Sequence, residues 1–130
     1  MAMNAQRLNI GLVWLSALLL IAAAFHRPAS IAELADRATK GDMGRGRVLW
    51  GSQCRGCHDG SGSGPALRWR LAAMLHDHGP GVTRRYVVES IRDPEKVIRF
   101  ETGAMPPVNV DDRDIVDLTA FVVDELIERY

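Results

Sequence analysis

The chain has 130 residues, with 16 Lys and Arg balanced by 16 Asp and Glu, and an apolar content of 47%. That is room for one small domain with a modest core, and too apolar for a disordered chain. The zero net charge argues against a nucleic-acid binder.

The charge is unevenly spread along the chain. Between Arg37 and Arg99 there are 12 basic and 6 acidic residues, and from Glu101 to Tyr130 there are 2 basic and 8 acidic. On a surface, such a division would form a dipole able to steer docking, with the basic side toward an acidic partner. An ordinary solvated surface is the competing reading.

Leu8 to Phe25 is almost continuously apolar, interrupted only by Asn9 and Ser16. As a helix these 18 residues would reach ~27 Å against a hydrocarbon core of ~30 Å, so a retained single-pass anchor is expected. A cleaved signal peptide, cut near Ala22-Ala23-Ala24, is the alternative. Residues 1–27 are thus read as anchor or signal peptide, 28–41 as a stalk and 42–130 as the folded domain. Within the stalk, Ser30-Ile31-Ala32-Glu33 has the pattern of a capping box that opens a short helix to about Ala38.

Asp42 is placed to cap the next helix, which runs through Gly44, Gly46 and Trp50 toward Cys54. Glycines inside a helix cost about 1 kcal/mol each relative to alanine, so Gly44 and Gly46 imply close crossing by another helix, or else a loose first turn. Trp50 reads as a core aromatic.

Gln53-Cys54-Arg55-Gly56-Cys57-His58-Asp59 contains the chain's two cysteines, three apart and followed at once by histidine. This is the pattern for covalent attachment of one c-type haem. Sulfurs at i and i+3 lie on one helical face and can reach both vinyl edges of a porphyrin, while the adjoining imidazole reaches the iron. A redox dithiol lacks the strand-helix setting it needs. A zinc site of Cys54, Cys57, His76 and His78 would have histidines spaced too tightly.

Gly60 to Gly64 has linker composition, and after this peptide its small residues would let the backbone pass close to a porphyrin. Leu67 to His76 can form a short helix. Its Arg68, Trp69 and Arg70 are donors suited to haem propionates, against the alternative of surface charge flanking a packed tryptophan. Pro80-Gly81 breaks the chain, and Thr83 is expected to cap a helix from Arg84 to Arg92 with Tyr86, Val87, Ser90 and Ile91 on one face. Glu95 to Thr102 reads as a loop.

Met105 is the candidate second axial ligand. Its thioether is soft and neutral, and His/Met ligation stabilises ferrous haem; Pro106-Pro107 would stiffen the loop that holds it. Met74 lies in apolar helical context and reads as core. Bis-histidine ligation and an open iron site are the alternatives. An acidic turn, Asp111 to Asp114, opens the last helix, in which Ile115, Leu118, Phe121, Val122 and Leu126 form a buried stripe and Glu125, Glu128 and Arg129 face water.

The set Cys54-x-x-Cys57-His58, Gly46 and Trp50 ahead of it, Gly64-Pro65 behind it and Gly103-x-Met105-Pro106-Pro107 further on resembles a monohaem class I c-type cytochrome, over about residues 42 to 130. The resemblance implies an all-α fold with N- and C-terminal helices crossing around one covalent haem c. It also implies that the Pro65 carbonyl accepts from the other ring nitrogen of His58, and that the haem is attached outside the cytoplasmic membrane. The expected role is electron carriage rather than enzymatic turnover, with no small-molecule substrate. A quinol-oxidising complex or a dehydrogenase would be donor, and an oxidase, reductase or reaction centre acceptor. A permanent subunit of an oxidoreductase complex, such as a sulfur-oxidising dehydrogenase, is the alternative, and a gas-binding sensor a further one.

Overall fold

The computed structural model describes residues 12–22, 27–97 and 105–127, and every regular element among them is helical. Helix α1 covers 12–22, inside the long apolar run; the rest of that run, the Glu95–Thr102 loop beyond residue 97, and Glu128 and Arg129 lie outside the described residues. Leu12, Val13, Trp14, Leu15, Leu18, Leu19, Leu20 and Ile21 are all exposed along α1. Its one hydroxyl, that of Ser16, donates back to the Leu12 carbonyl at 2.7 Å. Among the described residues, no helix is long and apolar enough to cross a membrane.

Helix α2, Ile31–Arg37, starts where expected. The Ser30 hydroxyl accepts from Glu33 N at 3.2 Å, and the Glu33 carboxylate accepts from Ser30 N at 2.6 Å. This segment, expected to be a stalk, is instead part of the core: Leu34 and Ala38 are fully buried, and α2 packs on α5 and α7. The Arg92 guanidinium fastens its approach by donating to the Ala29 carbonyl. A 3-10 turn, Ala38–Lys40, then delivers Gly41 against α7, so close that a β-carbon there would lie 2.7 Å from Ala120 Cβ.

Asp42 caps α3, Met43–Leu49, by accepting from Arg45 N at 3.0 Å. Of the two glycines, only Gly46 marks the helix crossing. A β-carbon at Gly46 would lie 2.0 Å from Asp117 O and 2.7 Å from Phe121 Cβ, whereas one at Gly44 would meet only the capping carboxylate of Asp42. The chain continues through a π-helical turn, Trp50–Cys54, into α4, Arg55–His58.

The long helix α5, Leu67–Arg92, is two helices joined at Gly79, whose φ of 78° lies in the region open mainly to glycine. The break therefore falls one residue before the expected Pro80-Gly81. Pro80 begins the second half, where its fixed φ and missing N–H do no harm. Thr83 does not cap this helix; it lies inside it and donates its hydroxyl to the Gly79 carbonyl at 2.9 Å. A short helix α6, Pro94–Val97, follows, so the stretch expected to be a loop from Glu95 is helical as far as Val97.

Helix α7, Asp112–Phe121, opens with a capping box between Asp111 and Asp114 and continues as a π-helical turn, Val122–Leu126. The expected stripe is buried except for Leu126, which is half-buried, and so is every residue from Ile115 to Val123, because α2 covers the side of α7 that a stalk would have left wet. A helix buried all round is the central element of its domain. Its Asp117 carboxylate accepts from Asp42 N at 2.8 Å and Arg45 Nη1 at 3.3 Å, which ties the start of α3 to the middle of α7.

Part of the uneven charge is spent inside this architecture. Arg45 and Arg47 of α3 pair with Asp114 and Glu125, Arg84 of α5 pairs with Asp124, and Arg92 lies 4.0 Å from Asp112. Four of the basic residues thus meet the acidic segment across helix interfaces. Glu125, expected to face water, is one of these partners.

Candidate haem cleft

The π-helical turn after α3, with α4, α5, α7 and the segment 105–108, encloses a half-open cavity of about 170 Å³. Its wall is mainly apolar, with Trp50, Leu67, Leu71, Val87, Ile91, Leu118 and Val122 contributing. Cys54, Cys57 and His58 line one side, and Met105 and Pro106 line it as well, although 47 positions of sequence separate His58 from Met105.

The π-helical turn has a consequence here. It inserts an extra residue between Trp50 and α4, rotating the following peptide relative to α3. Trp50 and Cys54 are both buried, while Cys57 is exposed and His58 half-buried. Trp50 stacks obliquely between the His58 ring at 6.5 Å and the Phe121 ring at 6.4 Å, so the imidazole is braced indirectly by α7. Burial, reinforced by the neighbouring Cys57, pushes the Cys54 thiol up to about 11. The two cysteines form no disulfide. Among the described residues no group of three His, Cys, Asp or Glu could hold a metal ion, so the zinc alternative finds no support.

His58 Nδ1 lies 2.9 Å from the Pro65 carbonyl oxygen. A carbonyl can only accept, so Nδ1 carries the proton and Nε2 keeps its lone pair for a metal. The donor set therefore fits a haem iron: one imidazole with its tautomer fixed, one thioether lining the same cavity, and two thiols beside the imidazole. Haem c would be held by Cys54, Cys57, His58 and Met105, in an apolar pocket that excludes water from the iron.

The remaining sequence candidates divide. Arg70 lines the cavity, but Arg68 and Trp69 do not, and Trp69 is 75% exposed. Leu67 and Leu71, one helical turn apart, turn one face of α5 inward, and Trp69 midway between them falls on the opposite side. Met74 is half-buried and absent from the cavity wall, as are His76 and His78, which are exposed; His76 Nδ1 sits 2.9 Å from the Asp77 carboxylate. The wall also includes Tyr86, Ser90, Gln53 and Val108, none of which the sequence pattern had marked for the site. The face shared by Tyr86, Val87, Ser90 and Ile91 was visible in the helical period. Its position across the cleft depends on the turn at Gly79.

A helical domain whose Cys-x-x-Cys-His peptide, proline carbonyl and distant methionine converge on one apolar cleft defines a c-type cytochrome, with one covalent haem c as its cofactor. Residues 41–122 match the family described as cytochrome c oxidase, cbb3-type, subunit III, and the chain belongs to that family. No curated protein and no solved structure matches it.

Proposed function

We propose that this cytochrome is a one-electron carrier whose haem is attached through Cys54 and Cys57 and ligated by His58 and Met105. The observation that carries the reading is the convergence of these four side chains on one cavity, with His58 Nδ1 engaged by Pro65 O. Haem c, when bound, supplies reversible passage between ferrous and ferric states. Pro65 holds the imidazole in one tautomer and orientation, so little rearrangement accompanies a change of iron charge. Met105 offers a neutral sulfur that favours the ferrous form, and Pro106 and Pro107 limit the freedom of the chain that carries it. Leu71, Val87, Ile91, Leu118 and Val122 keep the cavity dry. Arg70, on the cavity wall, is suited to a haem propionate.

The proposed place of action rests on the N-terminal segment for the anchor and on haem attachment outside the cytoplasmic membrane for its side. The exposed apolar α1, its only hydroxyl satisfied within the helix, is the middle of a run long enough to span a bilayer, which supports an anchor with the haem domain on the periplasmic face of the inner membrane. Because α2 is packed into the domain, no more than about six residues separate residue 22 from the packed segment at Ala29, a reach of roughly 20 Å. So short a tether favours a partner in the same membrane. The family description makes a terminal oxidase of the cbb3 type the preferred electron acceptor, with the chain as carrier to it or as a fixed component beside it.

Potentiometric titration of the haem-loaded protein tests the ligation. Met105→Ala is expected to abolish the sulfur-to-iron charge-transfer absorption and to lower the potential. An unchanged absorption would place the sixth ligand elsewhere.

A further inference from the structure

Three glycines follow the haem-binding peptide, one required by its backbone conformation and two by close contact. Gly60 has φ of 100°, a conformation disfavoured for other residues, and space around it is ample. Gly62 and Gly64 have no such backbone requirement, and for them the constraint is contact. A β-carbon at Gly62 would fall 2.2 Å from Gly56 O and 2.5 Å from Cys57 Cα. One at Gly64 would fall 2.9 Å from both Nδ1 and Cε1 of His58. The close approach is to the Cys57-His58 peptide itself, and Ser63 and Gly64 also line the cavity, where the sequence had suggested approach to the porphyrin.

The Gly64 amide adds a positive tie, donating to the Cys57 carbonyl at 3.0 Å. The segment therefore folds back over α4, gripping its backbone at Gly62 and resting against the imidazole at Gly64, one residue before the carbonyl that accepts the hydrogen bond from Nδ1. Any side chain at 64 presses the ring at the atom that donates to Pro65. The imidazole then tilts, or the carbonyl retreats. Either change loosens the hydrogen bond that makes His58 a stronger donor to iron.

We infer that Gly62 and Gly64 are positioning residues for the axial histidine, Gly62 seating the peptide and Gly64 setting the distance between the His58 ring and the Pro65 carbonyl. The inference rests on the proposed ligation by His58. A stronger imidazole donor stabilises the ferric state, so loosening its hydrogen bond should raise the reduction potential.

The test uses full-length, haem-loaded protein carrying Gly64→Ala, with Gly51→Ala and Gly81→Ala as comparisons. A β-carbon at either comparison position would have nothing within 4 Å. Two quantities are read: the reduction potential, and solvent exchange of the His58 Nδ1 proton by NMR of the labelled imidazole. Gly64→Ala should raise the potential and speed exchange by about fivefold, the loss of one hydrogen bond worth about 1 kcal/mol. Gly51→Ala and Gly81→Ala should remain near wild type. Failure of Gly64→Ala to load haem, with both comparisons loading normally, would also locate the requirement at Gly64. Wild-type exchange and potential in Gly64→Ala would overturn the inference, as would an equal effect of Gly51→Ala. Absence of hyperfine shifts from the His58 ring in the ferric wild type would instead refute the ligation itself.

Discussion

Replacing Gly46 by alanine probes the α3–α7 crossing that sets Trp50 against Phe121 beside the haem cleft. The added carbon would lie 2.0 Å from Asp117 O, where ordinary contact begins at 3.4 Å, so α3 must withdraw from α7 by roughly 1.4 Å. No side-chain rotation can relieve the clash, because the atoms met are the α7 backbone and Phe121 Cβ. Withdrawal also separates Trp50 from Phe121, and so loosens the aromatic brace behind His58. Overpacking costs about 1–3 kcal/mol and often lies at the upper end against backbone; alanine returns about 1 kcal/mol of helix propensity. The net loss should be about 2 kcal/mol, or roughly 8–16 °C in melting temperature for a domain of this size. Thermal unfolding of the haem-loaded protein followed by circular dichroism measures it. Gly81→Ala, at a helical glycine with nothing within 4 Å, should be neutral or stabilising by up to about 1 kcal/mol. If Gly46→Ala melts at or above the wild type, α3 and α7 do not cross as tightly as the Gly46 contacts require.

Asp117→Ala should cost about 3 kcal/mol in denaturant unfolding, because it strips the Asp42 amide and the Arg45 guanidinium of a buried carboxylate. Ser30→Ala should cost about 1 kcal/mol at neutral pH by removing the cap of α2. Hydrogen bonds from the Ser30 amide and hydroxyl hold the Glu33 carboxyl below its ordinary value, so its contribution is present above about pH 4.5 and lost as pH falls through the lower folded value. Stability against pH should accordingly be flatter on the acid side in Ser30→Ala. Trp69→Ala should leave the haem spectrum unchanged and the stability within about 0.5 kcal/mol of wild type, as expected for an exposed residue outside the cleft; a changed spectrum would return Trp69 to the site.

The haem-binding peptide and the class of fold were legible because their signals are local. Cysteine spacing, the adjoining histidine and the capping boxes at Ser30 and Asp111 depend on residues within one or two turns. The role of Pro65 came from resemblance, and the 2.9 Å contact to His58 agrees with it. What local pattern could not reveal depended on who packs against whom. Helix α2 looks like a stalk until Leu34 and Ala38 are seen against α5 and α7. The basic and acidic segments look like a dipole until Arg45, Arg47, Arg84 and Arg92 are seen facing the acidic residues of the last helix and its π-helical turn. Trp69 and Arg70 are neighbours in sequence, yet only Arg70 lines the cleft, a distinction set by the rotation of α5.

The most direct test is the intact mass of the mature polypeptide after treatment with a thiol-alkylating reagent. One haem added to the chain, with neither Cys54 nor Cys57 alkylated, is the expected result. An unadorned polypeptide mass with two alkylated thiols would contradict it.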